Sequence, residues 1–65
     1  MIVGGCDVGS ATGKALIMRD GAIVSFSIIP STTKPEMTAQ MAVDEALSKA
    51  GLASLEELDY VVGTD

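Results

Sequence analysis

The sequence predicts an α/β fold: four strands and one main helix in the order β-β-β-α-β, forming an incomplete mixed sheet. Three observations carry this reading. Asp20-Gly21 stands between two short apolar runs and is a strong hairpin signal. The stretch after Pro35 repeats its apolar residues at helical spacing. A last apolar run, Tyr60-Val61-Val62-Gly63, then follows at strand length.

Each element has its own justification. The first strand is read as Ile2 to Val8, where Gly4 and Gly5 let neighbouring backbone approach closely. The second runs from about Lys14 to Arg19, and Asp20-Gly21 turns the chain into a third from Ala22 to Ile29. In that strand Val24, Phe26 and Ile28 alternate with Ser25 and Ser27, the pattern of one buried and one wetter face. Pro30 ends it, and Ser31-Thr32-Thr33-Lys34 is a loop. Thr33-Lys34-Pro35-Glu36 matches a capping box, with Pro in the first turn, where its missing N–H costs nothing. Ala39, Val43, Ala46, Leu47 and Ala50 form one apolar helix face, with Met37 and Met41 as core filler widening it. Gly51 supplies the C-terminal stop. Ser54-Leu55-Glu56-Glu57 is a second capping box, opening a single turn before the last strand, which is expected to be buried. Asp44, Glu45, Glu56 and Glu57 belong on solvated faces.

Composition removes several function classes. Sixty-five residues make one small domain at most, and a chain of this size buries only about 60% of the surface its unfolded form exposes. A net charge of −5, four basic against nine acidic residues, disfavours a nucleic-acid surface and an anionic membrane. One Cys and no His rule out an internal disulfide framework, a four-ligand zinc site and the usual hydrolytic triad. There is no long apolar span and no basic leader, so cytoplasmic residence is expected.

The chemistry-bearing stretch is Gly4-Gly5-Cys6-Asp7-Val8-Gly9-Ser10-Ala11-Thr12-Gly13-Lys14. It resembles a Walker A loop only superficially. Counting back from Gly13-Lys14 puts Val8 where the first Gly belongs, Ala15 replaces the magnesium-binding hydroxyl, and a strand follows instead of a helix. As a strand–turn–strand unit it gives backbone N–H groups, two hydroxyls and an ammonium a common place to converge beside one carboxylate. That combination suits the terminal phosphates of a nucleotide with its metal ion. The same residues also have plain readings: Asp7 as a strand-end turn former, Ser10 and Thr12 as turn residues, Lys14 as a solvated charge.

The order of elements, Asp7-Val8-Gly9-Ser10-Ala11-Thr12-Gly13-Lys14 and the strand Asp59-Tyr60-Val61-Val62-Gly63-Thr64 resemble the opening of the ribonuclease-H-like, actin-like ATPase fold. Actin, sugar kinases, acetate kinase and the large chaperone ATPases share it. Within that superfamily the chain looks like the N-terminus of the ATPase activators of 2-hydroxyacyl-CoA dehydratases and the related ATPase subunits of benzoyl-CoA reductase. The resemblance covers essentially the whole chain. It implies that residues 1–65 are the first part of a single lobe, with the second lobe absent.

The resemblance further implies binding of ATP with magnesium. The amides of Gly9, Ser10, Ala11 and Thr12, the hydroxyls of Ser10 and Thr12, and Gly13 would form the phosphate cradle. Lys14 would neutralise phosphate charge, and Asp7 would hold magnesium through its water shell and serve as the catalytic residue. Hydrolysis would rest on positioning and charge stabilisation, and would drive a hinge motion. In the family that motion delivers an electron from a [4Fe-4S] cluster to an acyl-CoA dehydratase or reductase, and the full-length proteins are homodimers bridged by the cluster. The cluster cysteines, the adenosine pocket and the second phosphate loop have no counterpart among these residues, so Cys6 is expected to be a small core hydrophobe. Two other readings stay open: a fragment of a sugar or carboxylate kinase of the same superfamily, and a non-catalytic interaction module or inactive truncated product. The 65 residues alone are expected to hydrolyse ATP negligibly and to associate through unpaired strand edges.

Overall fold

Short apolar runs separated by turn residues fold into β1 (Ile2–Val8), β2 (Thr12–Arg19) and β3 (Ala22–Pro30), followed by α1 (Pro35–Lys49), a 3₁₀ turn at Leu55–Glu57 and β4 (Tyr60–Thr64). The computed structural model describes residues 1–64, Thr64 by its backbone alone. The four strands make one sheet in the order β3-β2-β1-β4. β1 is antiparallel to β2 and parallel to β4, so the sheet is mixed, and α1 with the 3₁₀ turn forms the connection that parallel pairing requires.

The turns follow from local chemistry. Asp20 and Gly21 adopt φ of 51° and 85°, the left-handed pair that a two-residue hairpin needs. Gly51, at φ 77°, ends α1 with two reverse bonds: Gly51 N–H to Ser48 O at 3.1 Å and Leu52 N–H to Leu47 O at 2.9 Å. In the second predicted capping box, the Glu57 carboxylate accepts from the Ser54 N–H at 3.3 Å and also from the Ala53 N–H.

The core lies between the sheet and α1: Ala15, Ile17, Ala42, Val43, Ala46, Leu47 and Leu58, with Ile2, Cys6, Ile29, Ala50 and Leu52 packed around it. Small residues let the two layers approach closely. A Cβ added at Gly13 would overlap Thr38 Cγ2, and one at Gly4 would stand 2.9 Å from Leu58 Cδ1. At Gly4 the close neighbour is a side chain, where the sequence suggested backbone.

Several expectations need correction. The first helix start is not a Thr33 capping box: the N-cap is Lys34, with no side-chain cap bond. The hydroxyls of Thr32 and Thr38 instead brace the chain leading into the helix. Thr38 Oγ1 accepts from the Thr32 N–H at 2.8 Å, and Thr32 Oγ1 accepts from the Lys34 N–H at 3.2 Å. The buried stripe of α1 is Thr38, Ala42, Val43, Ala46 and Leu47; Ala39 and Ala50 sit at its margins, and Met37 and Met41 are exposed. Methionine hydrophobicity is outweighed here by the flat contact that alanines allow. The last strand is not buried either. Tyr60, Val61 and Val62 are exposed because β4 is a sheet edge.

The largest reversal is on β3. Ser25 and Ser27 are the buried residues, and their hydroxyls donate to Ala46 O at 2.7 Å and Ala42 O at 2.6 Å on α1. Phe26 and Ile28, together with Ile23 and Val24, lie exposed. A bulge between Ile17 and Met18 contributes to this, leaving Val24 without a direct partner on β2.

Candidate functional site

The β1–β2 loop lies at the C-terminal end of the parallel pair β1 and β4, where open α/β sheets place ligands. Asp7 and Lys14 stand directly opposite each other in the ladder, and both are exposed. Their neighbours Gly13 and Ala15 are buried on the α1 side, so Asp7 and Lys14 share the opposite sheet face. Thr64, paired by its backbone with Asp7, completes this row.

The loop's backbone is already sorted into groups in use and groups available. Gly9 N–H donates to Thr12 O at 2.8 Å. Ser31, just past the end of β3, binds two loop carbonyls: its Oγ donates to Gly9 O at 2.7 Å and its N–H to Ala11 O at 3.0 Å. Carbonyls that would repel an anion are thereby tied down. The N–H groups of Ser10 and Ala11 donate to no acceptor among the described residues.

The seven predicted site residues therefore divide. Asp7, Ser10, Ala11 and Lys14 gather at the loop end with exposed surfaces, and Thr12 opens β2 half-buried. Gly9 spends its amide on the turn, and Gly13 is buried against Thr38 on the α1 side. Ser31 went unnoticed in the sequence. Its one signal was its place immediately after the strand-ending Pro30, since bonds to Gly9 and Ala11 cannot be read from a separation of some twenty residues.

The donor set allows a fit test for the implied groups. A single exposed carboxylate beside available amides and a lysine fits magnesium, which keeps most of its water and takes few protein oxygens. No group of three or more His, Cys, Asp or Glu that could hold a metal occurs among the described residues. A [4Fe-4S] cluster needs four thiolates, and the lone Cys6, half-buried within β1, does not fit that role. Burial, and then the charge of Asp7, push its thiol up from the ordinary value, which keeps it protonated.

What these residues can do together is receive an anion: two unused N–H groups, a hydroxyl and an ammonium, next to an acid that can hold a hydrated cation. Fold and site thus define an α/β protein with a four-stranded mixed sheet, whose strand–turn–strand loop presents Asp7, Lys14 and two unused N–H groups at one sheet end. At the level of sequence, the chain is 35% identical over 60 residues to the activator of lactoyl-CoA dehydratase from Anaerotignum propionicum. The match takes in 92% of this chain but 23% of that protein, so the chain spans less than a quarter of its relative's length. No protein-family profile matches the chain. The similarity is to a dehydratase activator. Among the described residues no helix is long and apolar enough to cross a membrane.

Proposed function

We propose that this chain is the phosphate-binding part of an ATPase that activates a 2-hydroxyacyl-CoA dehydratase, built on the opening of a ribonuclease-H-like lobe. The observation that carries the reading is the Asp7–Lys14 pair beside the unused Ser10 and Ala11 amides, in a chain similar to a dehydratase activator. The relative's name supports the partner class, and the loop's donor set is what supports a phosphate-bearing ligand.

In this reading the Ser10 and Ala11 amides and the Ser10 hydroxyl bind nucleotide phosphate oxygens. Lys14 offsets their charge as a point cation. Asp7 orients the hydrated magnesium that accompanies the nucleotide, and the metal supplies charge neutralisation. Ser31 keeps the loop's carbonyls turned away from the anion. The groups that would bind adenosine, close the site against water and pass an electron onward are not assigned to these residues.

The test is a titration of the 65-residue chain with Mg-ATP, followed by backbone amide NMR. Ser10 and Ala11 should show the largest shifts, and Asp7→Asn should weaken binding roughly tenfold or more, a loss of about 1.4 kcal/mol. Resonances of the loop that stay still at millimolar nucleotide would remove it from the proposal.

A further inference from the structure

Thr38 is the buried polar residue of α1, 0% exposed, and its two γ substituents have separate tasks. Its Cγ2 lies against the bare backbone of Gly13, next to Lys14. Its Oγ1 faces the incoming chain, where it accepts from the Thr32 N–H at 2.8 Å and meets the Thr32 hydroxyl at 2.8 Å. Lys34 O lies within hydrogen-bond distance of both hydroxyls, 3.2 Å from Thr38 Oγ1 and 2.8 Å from Thr32 Oγ1. One hydroxyl proton goes to that carbonyl and the other joins the two oxygens, so both are used.

Peptide planarity carries this anchor from α1 to the β1–β2 loop. The Thr32 N–H belongs to the peptide that follows Ser31, and the Ser31 N–H to the one that precedes it. The first plane is held on α1 through Thr38, the second on the loop through Ala11 O at 3.0 Å. With both flanking planes fixed, Ser31 is located, and its Oγ donates to Gly9 O at 2.7 Å. That carbonyl shares a trans peptide with the Ser10 N–H, and the two point in opposite directions. Tying Gly9 O to Ser31 therefore aims the Ser10 N–H outward, where it meets no acceptor among the described residues.

We propose that Thr38 is a positioning residue for the loop: acting through Ser31, it fixes the direction of the Ser10 N–H and couples the start of α1 to the loop's occupancy. Its role toward a ligand rests on the phosphate reading of the loop, whereas the hydrogen-bond relay beneath it does not. The links act in series. Loss of either one frees the Gly9–Ser10 peptide to rotate, and anion binding then bears the cost of reordering it. By linkage, an anion held at Ser10 tightens the relay in return, back to the chain entering α1.

Amide NMR of the chain tests both halves, with Mg-ATP as the probe. Thr38→Val keeps the side-chain shape but removes the hydroxyl, and Thr38→Ser keeps the hydroxyl. Without ligand, Thr38→Val should raise exchange at the Ser31 N–H about tenfold relative to the sheet amides, and Thr38→Ser should not. With ligand, Thr38→Val and Ser31→Ala should each weaken Mg-ATP roughly five- to tenfold, and together no more than either alone, as links in series require. Ser27→Ala deletes another buried hydroxyl bonded to α1; it should lower the urea midpoint and leave the affinity unchanged. Mg-ATP should slow exchange at the Thr32 N–H in the parent chain, and not in Ser31→Ala. Far-UV circular dichroism confirms folding, and Thr38→Ala replaces Thr38→Val if that variant is unfolded. Selective release of the Ser31 N–H in Thr38→Val, with non-additive losses of affinity, supports the proposal. A Ser31 N–H indifferent to Thr38, losses that multiply, or Ser27→Ala as harmful to affinity as Thr38→Val overturns it. A parent chain that binds no Mg-ATP defeats the proposed function alone; the relay is then decided by ligand-free exchange, selective release supporting it and its absence overturning it.

Discussion

Gly13 shows how a residue can suit a functional motif and be held in place by packing. Its position beside Lys14 makes it look like part of a phosphate cradle, yet its missing Cβ is what lets β2 lie against Thr38. Gly13→Ala should therefore destabilise the fold by about 1–3 kcal/mol through overpacking. Adding Thr38→Ser, which deletes the overlapped methyl and keeps the hydroxyl bonds, should recover a large part of that loss in urea denaturation. An additive pair would show that the two residues do not share the strain. Cys6 makes a second residue-scale case. With its thiol pushed up by burial and by Asp7, the thiolate fraction at neutral pH is below that of an ordinary cysteine. Alkylation by iodoacetamide at pH 8 should run slower than for glutathione, and should rise further into the alkaline range before levelling.

β3 shows what alternation can and cannot establish at the scale of an element. Period two was legible from Val24 to Ile28, and so was the hairpin at Asp20-Gly21. Which parity faces the helix was not legible. Ser25 and Ser27 win the inward positions because α1 comes close enough for their hydroxyls to reach Ala46 O and Ala42 O. Ser27, 1% exposed, should then behave as a structural hydrogen-bond donor. Ser27→Ala is expected to cost about 1 kcal/mol, seen as a lower urea midpoint at unchanged slope. A neutral or stabilising result would mean the serine is tolerated there without contributing. The helix start carries the same lesson. A Thr33 box was a fair reading of spacing alone, but the Thr32 and Thr38 hydroxyls brace the chain leading into the helix, and the first-turn N–H groups of Met37 and Thr38 go to Lys34 O.

For the molecule as a whole, the decisive connection joins residues 57 apart in the chain. Ile2 N–H donates to Asp59 Oδ2 at 2.6 Å, and Asp59 N–H donates to Ile2 O at 2.7 Å, a reciprocal clamp that fixes β4 beside β1. Because the carboxylate is exposed, Asp59→Ala should cost about 1 kcal/mol, less than the roughly 1.5–3 kcal/mol of a sheltered bond to a charged group. Amide exchange in β4 should accelerate more than in the β2–β3 hairpin, which relies on local pairing. Equal acceleration throughout would show that the sheet opens as one unit. The placement of the candidate site depends on this clamp, since the parallel pairing of β1 with β4 defines the sheet end where Asp7 and the loop lie.

The sequence by itself determined the α/β class, the order β-β-β-α-β, the two-residue hairpin turn, the glycine stop of α1 and the Asp7-to-Lys14 stretch. Each depends on interactions spanning a few residues: periodicity, φ preference, turn chemistry. Tertiary structure alone decided which face of β3 is buried, that Gly13 packs against a helix and that Ser31 turns the loop's carbonyls aside. These outcomes rest on contacts between residues some twenty positions apart, and such contacts exist only once α1 and β3 have settled against the sheet.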